Sequence, residues 1–215
     1  MEIETLISTL RRYVTEKYSD EATGHDWYHI ERVTRNACLI AESEGGDVHV
    51  VEVAALLHDI DDHKFNGGDL EAGAKTAQRV MEQIGFDNTF IQRVVPIINK
   101  VSFKGVYVDS VPDSLEGKIV QDADRLDALG AIGIARAFAY GGNKQRPIYD
   151  PEIKPELHHS AEQYIHAKSH TINHFYEKLL HLKDKMNTNT GKTMAAQRHQ
   201  FMTDFLAQFY AEWNN

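Results

Sequence analysis

The sequence predicts an all-α fold: one bundle-like domain spanning residues 1–215, with little or no strand. Three observations lead there. Apolar residues recur at three- and four-residue intervals along most of the chain, strand-like alternation is nearly absent, and Gly, Pro or polar clusters interrupt the pattern where helices would end. Only Val106-Tyr107-Val108 alternates weakly, as one short strand would.

The first helix runs from Glu2 to Tyr18 on Ile3, Leu6, Leu10, Tyr13 and Val14, and ends before Ser19-Asp20. After Gly24-His25-Asp26-Trp27-Tyr28-His29, the residues Ile30, Val33, Ala37 and Ile40 give a second helix to about Glu44, stopped by Gly45-Gly46. A denser apolar run, Val50 to Leu57, marks a buried third helix that ends abruptly in His58-Asp59-Ile60-Asp61-Asp62. A polar loop to Asp69 precedes a fourth helix on Leu70, Ala74, Ala77, Met81 and Ile84, which Gly85 terminates. Phe90, Ile91, Val94, Ile97, Ile98 and Val101 continue the helical period. Pro96 falls inside it and removes a hydrogen bond at a cost of about 3 kcal/mol, so a kink or break is expected. Val101 to Pro112 reads as a loop. Asp113 and Ser114 are N-cap candidates for a long helix from Leu115 to about Tyr140, closed by Gly141-Gly142. The stretch Asn143 to His158, with Pro147, Pro151 and Pro155, is too rich in proline for a helix and reads as an ordered loop or lid. Two final helices cover about Ser160–Met186 and Gly191–Trp213.

A net charge of −9 disfavours a nucleic-acid groove, which needs Lys and Arg opposite phosphates. No run approaches the roughly 18 to 20 apolar residues of a membrane span, and Met1-Glu2-Ile3-Glu4 begins neither basic nor apolar, so a cytoplasmic protein is expected. The single cysteine, Cys38, lies in a helical pattern and reads as a small buried apolar residue. The oligomeric state is left open, a homodimer being compatible with the sequence.

Three segments far apart in the chain carry residues that are expensive to bury: His29 at a helix start, His58-Asp59 at a helix end, and Asp124 inside an apolar helix. Neighbouring helical residues point about 100° apart, so His58 and Asp59 can both lean onto one object beside the axis. A buried carboxylate such as Asp124 needs a cationic partner. Together the four make a two-His, two-Asp site for a divalent ion. Nitrogen and oxygen donors without thiolate suit Mn²⁺, Fe²⁺, Mg²⁺ or Zn²⁺ and leave positions open for water and substrate. A lone His-Asp pair would be read as a helix-ending turn; its company overrides that reading.

The order His29, His58-Asp59, Asp124, with Ala-Leu-Leu-His-Asp-Ile and Gln-Asp-Ala-Asp-Arg-Leu-Asp-Ala-Leu-Gly around the ligands, resembles the HD superfamily of metal-dependent phosphohydrolases from roughly Gly24 to Tyr140. The segments Asn173-His174-Phe175-Tyr176-Glu177-Lys178-Leu179 and Met186-Asn187-Thr188 resemble a bacterial stand-alone subgroup whose relatives are similar to nucleoside triphosphate pyrophosphohydrolases. The resemblance implies a metal-site core at about 24–140 and a C-terminal helical part at about 158–213. It implies His29, His58, Asp59 and Asp124 as ligands of one divalent ion, Mn²⁺ being favoured over Mg²⁺, Fe²⁺, Zn²⁺, Ni²⁺ and Co²⁺. It places Asp62 where some members carry a general acid or base, with Asp61 the alternative.

Lys64 and Arg125 sit beside the proposed ligands in the chain and could grip phosphate oxygens, with Lys100, Ser102 and Lys104 as further candidates. Asp127, one turn beyond Asp124, could hold a ligand imidazole in its tautomer. Asp122 is a competing ligand about 200° round the helix from Asp124. His25, one turn before His29, would share the site or serve as a cap.

The expected activity is hydrolysis of a small-molecule nucleotide, foremost release of pyrophosphate from a nucleoside or deoxynucleoside triphosphate. A nucleoside monophosphate phosphatase and a cyclic-nucleotide phosphodiesterase are the alternatives, and a non-catalytic nucleotide-sensing metal-binding module is the alternative from another class. The loop from Pro147 to Pro155 could close over the nucleotide. His159, His166, His170, His174 and His181 form a histidine-rich stretch, three of them at four-residue spacing, and read as a solvated stripe on a helix rather than a second metal site.

Overall fold

The computed structural model describes residues 2–19, 26–60, 72–101, 111–156 and 169–215. Among them every regular element is helical, as the sequence predicts: α1 Ile3–Tyr18, α2 Trp27–Glu44, α3 Val48–Leu57, α4 Ala72–Ile84, α5 Asn88–Val101, α6 Leu115–Asp127, α7 Gly130–Asn143, α8 Thr171–Glu177, a 3-10 helix Leu179–Lys185, and α9 Asn189–Trp213. The expected strand at Val106–Val108 lies outside the described residues. Contacts divide the described residues into two compact units, one within Met1–Phe103 and Ser110–Asp124, the other within Arg125–Asn215.

In the first unit α3 is the core, flanked by α1, α2 and α5. Val50, Val51 and Val53 to Leu57 are at most 1% exposed, and only His49 and Glu52 bring a polar side of this helix towards the surface. Its start is fixed by Asp47, whose carboxylate accepts from the His49 and Val50 N–H groups. Gly45 ends α2 with φ 84°, a left-handed conformation that glycine adopts without steric cost, and its N–H returns to the Ala41 carbonyl. The helix α5 runs through Pro96 without the expected break. Pro96 and Gln92 are exposed, so the carbonyl that loses its donor faces water, which lowers the penalty.

In the second unit the helices are shorter than the apolar pattern suggests. The long helix expected from Leu115 to Tyr140 is two helices, parted at Ala128-Leu129. The Ala128 and Leu129 N–H groups tighten the end of α6 onto the Arg125 and Leu126 carbonyls, and Gly130 takes φ 71°. The helix expected over Ser160–Met186 is not one helix in its described part either. His170 is extended, α8 starts at Thr171, and Lys178, at φ −142° and ψ −58°, turns the chain into the 3-10 helix. Phe138, Phe175 and Phe205 pack their rings together in this unit's core. The proline-rich stretch is an ordered loop there: the Thr171 and Ile172 N–H groups donate to the Pro147 and Ile148 carbonyls at 3.0 and 3.1 Å.

Candidate metal centre

The first unit builds its site from three helix termini or last turns. His29 lies in the first turn of α2 because Asp26 caps that helix, its Oδ1 accepting from the His29 N–H at 2.8 Å. His58 follows the last residue of α3 and keeps helical backbone angles, φ −59° and ψ −33°. Its Nδ1–H donates to the Ala55 carbonyl at 2.7 Å, which assigns the tautomer and leaves Nε2 with a lone pair. Asp59 comes next in the same turn, its own carbonyl accepting from the Tyr18 hydroxyl at 3.1 Å. Asp124 is in the last turn of α6.

These side chains meet. The two imidazole Nε2 atoms are 3.3 Å apart. Asp59 Oδ2 lies 3.3 Å from His29 Nε2 and 3.5 Å from His58 Nε2, and Asp124 Oδ1 lies 3.7 and 3.8 Å from the same two atoms. His29, His58 and Asp59 each put a ligand atom within 4.8 Å of the other two, and Asp124 joins through both imidazoles. Both imidazoles are 1% exposed, Asp59 12% and Asp124 27%. Separations of 3.3 to 3.8 Å are those of donors sharing one ion at about 2.0 to 2.2 Å, so the residues present fit a divalent cation. The burial sharpens this: lone pairs crowded away from water need a positive partner.

His25, Asp61, Asp62, Lys64, Ser102 and Lys104 lie outside the described residues. Lys100 donates to Asp113 at the surface. Arg125 is buried and its Nη1 donates to the Lys185 carbonyl. Asp127 is 1% exposed and its Oδ2 accepts from Arg136 Nη1 at 2.8 Å. Asp122 is fully buried.

The solvated histidine stripe is corrected where it can be seen. His170 is fully buried at the N-cap of α8, its Nδ1 accepting from the Asn173 N–H at 3.1 Å while Nε2–H donates to the Ile153 carbonyl at 3.1 Å. Burial, aided by the charges of Lys178 and Arg146, pushes His174 down to about 3. His181 Nε2–H donates to the Tyr176 carbonyl at 2.8 Å. His159 and His166 lie outside the described residues.

Two contributors to the site's geometry escaped the sequence. Asp26 could have been found, since an Asp three residues before His29 is an N-cap signature. Tyr18 left no local signal, because its role depends on how two helices align.

Residues 26–129 match the HD domain family. YpgQ of Bacillus subtilis is 41% identical over 201 residues, covering 93% of this chain and 89% of its own. The crystal structure of YpgQ in complex with ADP superposes with a TM-score of 0.77 at 35% identity, over 99% of this chain and 97% of that one. A crystal structure from Lactobacillus plantarum gives a TM-score of 0.85 at 39% identity, covering 100% and 99% of the two chains. An HD-superfamily hydrolase from Bacillus thuringiensis gives 0.73 at 45% identity, covering 99% and 96%.

Proposed function

Because this chain belongs to the HD superfamily of metal-dependent phosphohydrolases, we propose that His29, His58, Asp59 and Asp124 hold a divalent ion for nucleotide hydrolysis, and that the reaction releases pyrophosphate from a nucleoside or deoxynucleoside triphosphate. The observation that carries this reading is the approach of two carboxylates to within 3.8 Å of both imidazole nitrogens in a largely buried setting. The ADP found with YpgQ supports a nucleotide as the ligand class.

His58 donates from Nδ1 to the Ala55 carbonyl, so the lone pair it can offer a metal is on Nε2. Asp59 and Asp124 add negative charge that offsets a dication. The mixed nitrogen and oxygen donors suit Mn²⁺ as they suit Fe²⁺, Mg²⁺ and Zn²⁺, and Mn²⁺ is the ion proposed. The chemistry such an ion supplies when bound is acidification of a coordinated water, which makes a hydroxide nucleophile accessible nearer neutral pH. Asp62 is assigned the proton transfer and Lys64 the phosphate oxygens. Arg125 joins Lys64 in that role through its five-donor guanidinium, one nitrogen of which already serves the Lys185 carbonyl. A cytoplasmic location fits the substrate class, and none of the described helices is long and apolar enough to cross a membrane.

The test is incubation of purified protein with Mn²⁺ and a panel of nucleoside tri- and monophosphates and cyclic nucleotides, with products resolved by ³¹P NMR. Pyrophosphate together with a monophosphate is expected. Orthophosphate released from monophosphates alone would replace this reading with a phosphatase, and metal-dependent nucleotide binding without turnover would replace it with a sensing module.

A further inference from the structure

Helix α1 lies outside the stretch that matches the HD domain, yet it reaches the metal centre. It packs on α3, and its Leu10 and Val14 are fully buried. Two polar contacts tie the pair. Arg11 Nη2 meets Glu52 Oε1 at 2.7 Å, and the Tyr18 hydroxyl donates to the Asp59 carbonyl at 3.1 Å. Both join residues 41 apart in sequence. An equal advance of about two turns on each helix means that α1 runs parallel to α3 and in register with it. Tyr18 thus arrives at the one turn that carries His58 and Asp59.

The carbonyl it meets lies just past α3, which ends at Leu57 before Ile60 closes a tight turn onto the Leu57 carbonyl. A hydrogen bond on that carbonyl anchors the Asp59 main chain, and with it the Cα from which Oδ2 reaches to 3.3 and 3.5 Å from the two imidazole nitrogens.

We propose that Tyr18 is a positioning residue of the metal centre, its phenol hydroxyl holding the Asp59 carbonyl and thereby anchoring the main chain from which the Asp59 carboxylate reaches the ion shared with His29 and His58. The inference rests on the metal-binding reading above. Outer groups that orient metal ligands change affinity by about 10 to 100-fold, so an effect of that order is expected.

The experiment is Mn²⁺ titration of the full chain by calorimetry, comparing the wild type with Tyr18→Phe, which deletes only the hydroxyl, and with Arg11→Met, which breaks the other α1–α3 contact. Tyr18→Phe should bind Mn²⁺ about tenfold more weakly, with a melting temperature close to wild type, while Arg11→Met keeps wild-type affinity. Equal affinity for wild type and Tyr18→Phe overturns the positioning role and leaves the metal centre standing. An equal loss in both variants overturns it too, because helix packing rather than the hydroxyl would then carry the effect. A wild-type protein that binds no divalent ion overturns the metal centre itself.

Discussion

His58 and His170 sit at helix ends in different units, both buried, and both spend Nδ1 on a backbone group three residues away. His58 stands at the C-terminal end of α3, where the spare backbone groups are carbonyls. Its Nδ1 must therefore donate, and Nε2 keeps a lone pair. His170 stands at the N-terminal end of α8, where the spare groups are N–H. Its Nδ1 must accept, so Nε2 carries the proton and donates to the Ile153 carbonyl. Helix polarity thus chooses the tautomer, and the tautomer separates an imidazole able to ligate a metal through Nε2 from one that serves only the fold. Counting histidines cannot reveal this.

The sharpest way to break the comparison is to replace the two residues in turn. His58→Gln should lose bound Mn²⁺, measured by elemental analysis, and turn over no nucleotide, whereas His170→Asn should keep both. Metal retained by His58→Gln would remove that imidazole from the ligand set. Next in size is Asp62→Asn, which should cut nucleotide hydrolysis about 100 to 10,000-fold with metal content unchanged. Wild-type turnover in that variant would take Asp62 out of the proton transfer.

The same polarity explains what could be read in the chain and what could not. Helix ends marked by glycine, as at Gly45 and Gly85, announce themselves because their chemistry is local. The break between α6 and α7 does not. Ala128-Leu129-Gly130 is hidden in an Ala- and Leu-rich pattern, although Gly130 takes φ 71° there: a side chain at Gly133 would collide with the Ala128 carbonyl five residues back, and one at Gly130 would press on Arg198 at 3.2 Å, a contact that only the fold supplies. Lys178, likewise, parts α8 from the 3-10 helix with neither glycine nor proline to mark it. At the site, His29, His58, Asp59 and Asp124 were legible from the cost of burying them. Tyr18 was not, because a tyrosine at a helix end has no such cost and acquires its role only from the register of α1 on α3.

Histidines that serve the fold should show themselves in the acid range. Burial first, then the Lys178 and Arg146 charges, hold His174 at about 3 against an ordinary 6.5. A pKa lowered by folding stabilises the native state above the unfolded value, and that contribution is lost as pH falls from about 6.5 towards 3. The urea midpoint of the wild type should therefore drop through this window more steeply than that of His174→Gln, by about one proton in slope. Parallel curves would show that His174 titrates normally in the folded protein.

The smallest effect expected is that of His170→Ala on stability. It removes the acceptor for the Asn173 N–H and the donor to the Ile153 carbonyl, so α8 loses its cap and one of its ties to the proline-rich loop. Loss of an N-cap costs about 0.5 to 2 kcal/mol, which for a chain of this size is about 2 to 4 °C in melting temperature per kcal/mol. His170→Asn should recover most of it, since Asn can accept from the same N–H, and Mn²⁺ affinity should stay at the wild-type value in both. A weakened Mn²⁺ site in His170→Ala would mean that this imidazole reaches beyond its own unit, and the division between ligating and capping histidines would fail.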